Sequence, residues 1–111
     1  MTGIREIAVA DLARRLAAGQ PTHLVDVRRE WEHQLAALPH PQQWIPLDEL
    51  PERADEVAPP PGTLVVVYCH HGVRSRTGAA VLARAGLADV VSLAGGIAAW
   101  SRDVDPAVPT Y

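Results

Sequence analysis

One stretch, Leu64 to Ala85 (LVVVYCHHGVRSRTGAAVLARA), restricts the fold more than any other part of the chain. Leu64 to Tyr68 is an unbroken apolar run with three consecutive valines and no helical period. Such a run reads as a strand buried on both faces, as in a parallel sheet. It leads into Cys69, the only cysteine, and then into a short loop containing Gly72. Ser75 to Ala85, with small and apolar Ala79, Ala80, Val81, Leu82, Ala83 and Ala85 and followed by Gly86, reads as a helix with its stop. The thiol therefore lies at the carboxyl end of a strand, in a loop that opens a helix. In open α/β sheets ligands bind at that place.

Thiolate is the reactive form of cysteine, and helix N-termini and nearby cations favour it. The successive N–H groups of His70 to Ser75 are positioned by sequence to curl around the sulfur. Gly72 permits the tight turn and the helix dipole adds partial positive charge. Arg74 and Arg76 are expected to add full charges, and Cys69 to Ala88 contains three arginines and no acid in a chain of net charge −3. Of the two histidines, adjacent in sequence, one is expected to face solvent at the rim. Ser75 is read either as the helix N-cap or as a hydrogen-bond partner of the sulfur.

The remainder alternates strands and helices. Ile4–Ala8, Thr22–Val27, Trp44–Pro46 and Val90–Leu93 are strand candidates. Val9–Ala18, Arg29–Ala36, Asp48–Ala54 and Ile97–Arg102 are helix candidates, the second carrying Trp31 and Leu35. Trp100 is expected in the core and Gly95-Gly96 in a tight turn. Ala58-Pro-Pro-Pro-Gly62 is a rigid connector, and Asp103–Tyr111 is expected to run extended over the surface. This alternation predicts one α/β domain over 1–111, with its core at about 4–102 and a parallel sheet covered by helices on both faces.

Composition excludes several functions. All ten basic residues are arginine, which removes Schiff-base chemistry and lysine-dependent phosphate loops. Mild acidity with scattered arginines argues against nucleic acid, and no apolar run reaches membrane-spanning length. A lone thiol and an N-terminus without an apolar core segment suit a cytoplasmic, reducing compartment. Cys69-His70-His71 is too compact to surround a metal ion, so no metal is expected. Asp26 and Arg28, at the end of the strand preceding the first long loop, read first as a structural ion pair or loop anchor. Asp48, Glu49, Glu52, Asp55 and Glu56 read as a solvated face.

Cys69-His-His-Gly-Val-Arg74-Ser75 resembles the active-site loop of the rhodanese family of sulfurtransferases. Leu24-Val-Asp26-Val-Arg28 and Val91-Ser-Leu-Ala-Gly95-Gly96-Ile-Ala-Ala-Trp100 match the same family in order and spacing. The resemblance implies a sheet of about five strands and sulfur transfer through a persulfide on Cys69, held by the loop His70 to Ser75, with Asp26 and Arg28 in support. It implies a small sulfur donor such as thiosulfate and a cyanide or thiol acceptor, in chemistry that needs no organic cofactor. Similar His-His-Gly loops in domains attached to ubiquitin-activating-like enzymes add a sulfur-carrier protein as a partner. The cysteine-dependent phosphatases, which include arsenate reductases, use a related unit with five residues between cysteine and arginine. Here four separate Cys69 from Arg74, which fits one outer sulfur better than a tetrahedral phosphate. A rhodanese-like module that only binds a partner would need neither Cys69 nor Arg74. The family's Gly-His-Ile-Pro-Gly-Ala segment is replaced by Ala37-Leu-Pro-His-Pro-Gln42, which predicts a different path there and altered access to the pocket.

Overall fold

A computed structural model describes residues 3–111. The order is β1 (Glu6–Ile7), α1 (Val9–Ala17), β2 (Thr22–Asp26), α2 (Glu30–Leu35), β3 (Gln42–Trp44) and α3 (Leu50–Arg53). A 3-10 turn (Ala54–Glu56), β4 (Leu64–Tyr68), α4 (Arg74–Arg84), β5 (Val90–Leu93) and α5 (Gly96–Asp103) complete it. The five strands form one wholly parallel sheet in the order β1-β5-β4-β2-β3. The expected α/β architecture is therefore the observed one.

Strand periodicity divides the core between the two faces. On β4, Val66 and Tyr68 join Leu12, Leu93, Ile97 and Trp100 in the layer beneath α1 and α5. Val65, Val67 and Cys69 join Val25, Val27, Leu50, Ala79 and Leu82 beneath α3 and α4. Both faces of β4 are thus dry, which explains its unbroken apolar run. Gly78 lets α4 lie close to the sheet, because a Cβ there would stand 3.1 Å from Val67 Cγ1 and 3.3 Å from Val27 Cγ1.

Two expectations shift. The strand anticipated at Trp44–Pro46 pairs instead over Gln42–Trp44, in register with Leu24–Asp26. It is an edge strand, so its two glutamines are tolerated. The C-terminal segment does not run extended over the surface. It turns at Asp105–Val108, buries Val108 against α1 and α5, and returns Tyr111 to the Cys69 loop. Ser101 Oγ, donating to the Val108 carbonyl at 2.6 Å, fixes that turn.

Candidate active site

Cys69 follows β4 directly and is buried, 1% exposed. The Gly72 N–H donates to Sγ at 3.1 Å and the Ser75 N–H at 3.3 Å. Two amides, not the whole run His70 to Ser75, thus meet the sulfur. The thiol donates to Ser75 Oγ at 3.4 Å, and Ser75 Oγ lies 2.7 Å from Ser92 Oγ on β5. Ser75 is consequently not the helix N-cap. α4 begins at Arg74, with Val73 in the cap position and without a side-chain cap.

The loop's amides point at the sulfur because its carbonyls are engaged elsewhere. Ile97 N–H donates to the Cys69 carbonyl at 2.9 Å, and Ala98 N–H to the His70 carbonyl at 3.0 Å. The orphan donors at the start of α5 therefore cap the loop from behind. This contact requires Gly96, at φ +61°, since a Cβ there would lie 2.4 Å from the His70 oxygen and 2.5 Å from the Cys69 oxygen. The Gly95-Gly96 pair forms the turn read from the sequence, and it also lets two backbones approach.

A buried polar network adjoins the loop. Asp26 and Arg28 are both 0% exposed and form a two-point pair, Nε to Oδ1 at 2.9 Å and Nη2 to Oδ2 at 2.8 Å. Arg28 also donates to the carbonyls of Ala36 (2.6 Å) and Glu32 (3.3 Å). That is the loop anchor anticipated for this pair. His33 Nδ1 lies 2.7 Å from Asp26 Oδ2, and Tyr68 OH donates to the same oxygen at 3.2 Å. Burial first, and then the Asp26 charge, push the Tyr68 phenol well above its ordinary range.

Arg74 is not an unpaired cation. Its Nη1 and Nη2 donate to the two oxygens of Glu32 at 2.7 and 2.8 Å, and the Glu32 side chain is only 4% exposed. The Arg29 N–H (3.1 Å) and Tyr111 OH (2.9 Å) also donate to Glu32. The Arg74 bond, opposed by burial, holds the Glu32 carboxyl down at about 2. Arg76, expected to add charge at the thiol, is exposed and lines an open groove along α4 with Ala80 and Arg84. His71 is exposed as the rim residue, whereas His70 is partly covered. The His70 ring stands between His71 and Tyr111, with centroids 3.9 Å away on each side. Burial chiefly, followed by the charge of His71, lowers its pKa below the ordinary imidazole value.

Two clefts flank the loop. One of about 290 Å³ is lined by Val27, Arg29, Pro46, Leu47, Asp48 and Arg74, and one of about 230 Å³ lies among His70, His71, Ala98 and Tyr111. Residues 37–42 line neither. Leu38 is buried, and its N–H donates to Tyr68 OH at 3.4 Å. Sequence reasoning did not find Glu32, Ser92 or Tyr111. Glu32 had one local signal, a carboxylate at the third position of a helix, which indicates capping and not a loop partner across 42 residues. Tyr111 had none.

Comparison with known proteins gives one family. The model of the Rhodanese-like domain matches residues 8–103. A sulfurtransferase of Allochromatium vinosum is 36% identical over 105 residues, covering 95% of both chains. An adenylyltransferase and sulfurtransferase of Zea mays is 34% identical over 98 residues, but the chain spans only 20% of that protein's length. Among solved structures, a rhodanese-related protein of Thermoplasma volcanium superposes with a TM-score of 0.79 at 29% identity, over 96% of this chain and 99% of that one.

Proposed function

Because the chain belongs to the rhodanese family, which supports sulfurtransferase activity, we propose that it carries sulfane sulfur from a donor such as thiosulfate to a nucleophilic acceptor through a persulfide on Cys69. The observation that carries this reading is the geometry at Sγ: a sulfur at a strand end, met by the N–H groups of Gly72 and Ser75 and by the Ser75 hydroxyl.

In the first step the Cys69 thiolate attacks the outer sulfur of the donor. The donor S–S bond breaks, its electron pair leaves on sulfite, and Cys69 becomes a persulfide anion. In the second step an acceptor attacks the outer sulfur, and the Sγ–S electron pair returns to Cys69. Cyanide would leave as thiocyanate, and a thiol would leave as its own persulfide. Amides already aimed at the sulfur stabilise both anions without reorganising. The Ser75–Ser92 pair adds an adaptable donor. The Ser75 hydroxyl accepts from the neutral thiol and turns to donate once sulfur is ionised, while Ser92 fills the vacated acceptor. Asp26 and Arg28 act as scaffold, and no cofactor or metal enters the reaction. With one cysteine in this chain, the persulfide has no internal thiol to resolve it, so sulfur passes to an external acceptor. A thiol or a sulfur-carrier protein is the acceptor class that the loop's resemblance favours.

Steady-state kinetics with thiosulfate and cyanide test the scheme. Parallel double-reciprocal lines, and no turnover by Cys69→Ala, are the expected result. Converging lines, which require both substrates bound together, would overturn it.

A further inference from the structure

We propose that Glu32 is a specificity-determining residue that selects sulfur donors by charge, favouring a monoanionic donor over a dianionic one at the Cys69 loop. This inference rests on sulfur transfer through Cys69 and names the donor class that the site accepts.

The observation is a disposition of charge that the sequence does not reveal. Between Cys69 and Ala88 the chain reads as purely cationic, yet the loop's own arginine is satisfied on both terminal nitrogens by a buried carboxylate. That carboxylate is held from four sides, by two Arg74 nitrogens, the Arg29 amide and the Tyr111 hydroxyl. Arg28 in turn donates to the Tyr111 oxygen at 2.9 Å. Glu32 is therefore a fixed charge and not a gate. The fully buried guanidinium, Arg28, is matched by Asp26. The cleft beside Arg74 adds Arg29 and Asp48, whose charges are opposite. Among the described residues, an incoming anion thus meets a thiolate and a charge-balanced wall, without an unmatched buried cation. A second negative charge on the donor gains no attraction from Arg74, whose charge Glu32 cancels, and is repelled by the thiolate.

Methanethiosulfonate and thiosulfate separate charge from chemistry. Each presents a terminal sulfane sulfur and leaves the same Cys69 persulfide. The electron pair of the broken S–S bond leaves on methanesulfinate in one case and on sulfite in the other. Persulfide loading is followed by intact mass, and kcat/KM with cyanide as acceptor is divided by each donor's uncatalysed rate with cyanide. In the wild type the normalised value for methanethiosulfonate should exceed that for thiosulfate by about tenfold or more. Glu32→Gln should raise the thiosulfate value by about tenfold and change the methanethiosulfonate value by less than about threefold. Glu32→Asp, which keeps the charge, should retain the wild-type ratio. A ratio unchanged in a folded Glu32→Gln variant would overturn the proposal. A wild type that prefers thiosulfate would overturn it as well, and that arm needs no variant. If neither donor adds sulfur to Cys69, the sulfur-transfer reading fails and this inference fails with it.

Discussion

Gly96→Ala should damage stability and activity together, because the added methyl group strikes the backbone that aims the loop at the sulfur. The new Cβ would lie 2.4 Å from the His70 carbonyl oxygen, 2.5 Å from that of Cys69 and 2.6 Å from the His70 carbonyl carbon. These are rigid backbone atoms, so the loop or α5 must move by about 0.6 Å to restore even a tight contact, on the scale at which misplacement costs rate. The left-handed conformation at φ +61° costs a side chain about 1–2 kcal/mol. Weakening the two hydrogen bonds from Ile97 and Ala98 adds about 0.5–1.5 kcal/mol each. The sum is about 2–5 kcal/mol. Gly19→Ala is the matched control, at φ +70° with nothing within 4 Å, and should cost only the conformational part. Urea denaturation of both variants gives the difference. Sulfur transfer by Gly96→Ala at a temperature where it stays folded should fall about 10- to 100-fold, as for other sub-ångström displacements of reacting groups. Equal stability losses with activity intact would refute the idea that the α5 start holds the loop.

Other outcomes follow from the same network. Replacing one partner of the buried Asp26–Arg28 pair, as in Arg28→Met, should cost about 3–5 kcal/mol by urea denaturation, because the other charge is left uncompensated. The double variant Asp26→Leu with Arg28→Met should cost less than that single change. Glu32, with an ordinary carboxyl value of 4.5 held at about 2 in the fold, contributes stability that is complete above about pH 4.5 and lost as pH falls from there through 2. Wild type and Glu32→Gln should therefore converge in urea midpoint as pH is lowered from 7 to 2.5, and a constant gap would contradict the pairing with Arg74. Tyr111→Ala uncovers His70, so the His70 midpoint in an NMR titration should rise toward the ordinary imidazole value. Tyr111→Phe keeps the stacked ring and should leave it in place; equal shifts in both variants would count against the stack.

What the sequence reveals divides by range. The strand–loop–helix around Cys69 was readable because its signals are local: three valines, a glycine at the turn and the small residues Gly78 to Ala80 within α4. The parallel sheet followed from alternation, and the short polar β3 was placed two residues late because an edge strand is not required to be apolar. The Asp26–Arg28 anchor was legible from two residues at a strand end. By contrast, the balance of charge at the loop depends on Glu32 reaching Arg74 across 42 residues, and on Tyr111 reaching Glu32 across 79. No periodicity or capping rule records such contacts. A count of charges along Cys69–Ala88 therefore described the loop as more cationic than its surroundings make it. The resemblance to the rhodaneses singled out Cys69 as the proposed nucleophile, while the pairing of the loop's arginine emerged only from the packing of α2 and the returning C-terminal segment.

The central claim is that sulfur resides covalently on Cys69 between two half-reactions. The most direct test is the intact mass of the reduced, desalted protein after brief exposure to thiosulfate or methanethiosulfonate, beside Cys69→Ala. The wild type should gain one sulfur atom and lose it on adding cyanide, and the variant should gain none. An unchanged mass with both donors, or equal gains in the two proteins, would contradict the claim.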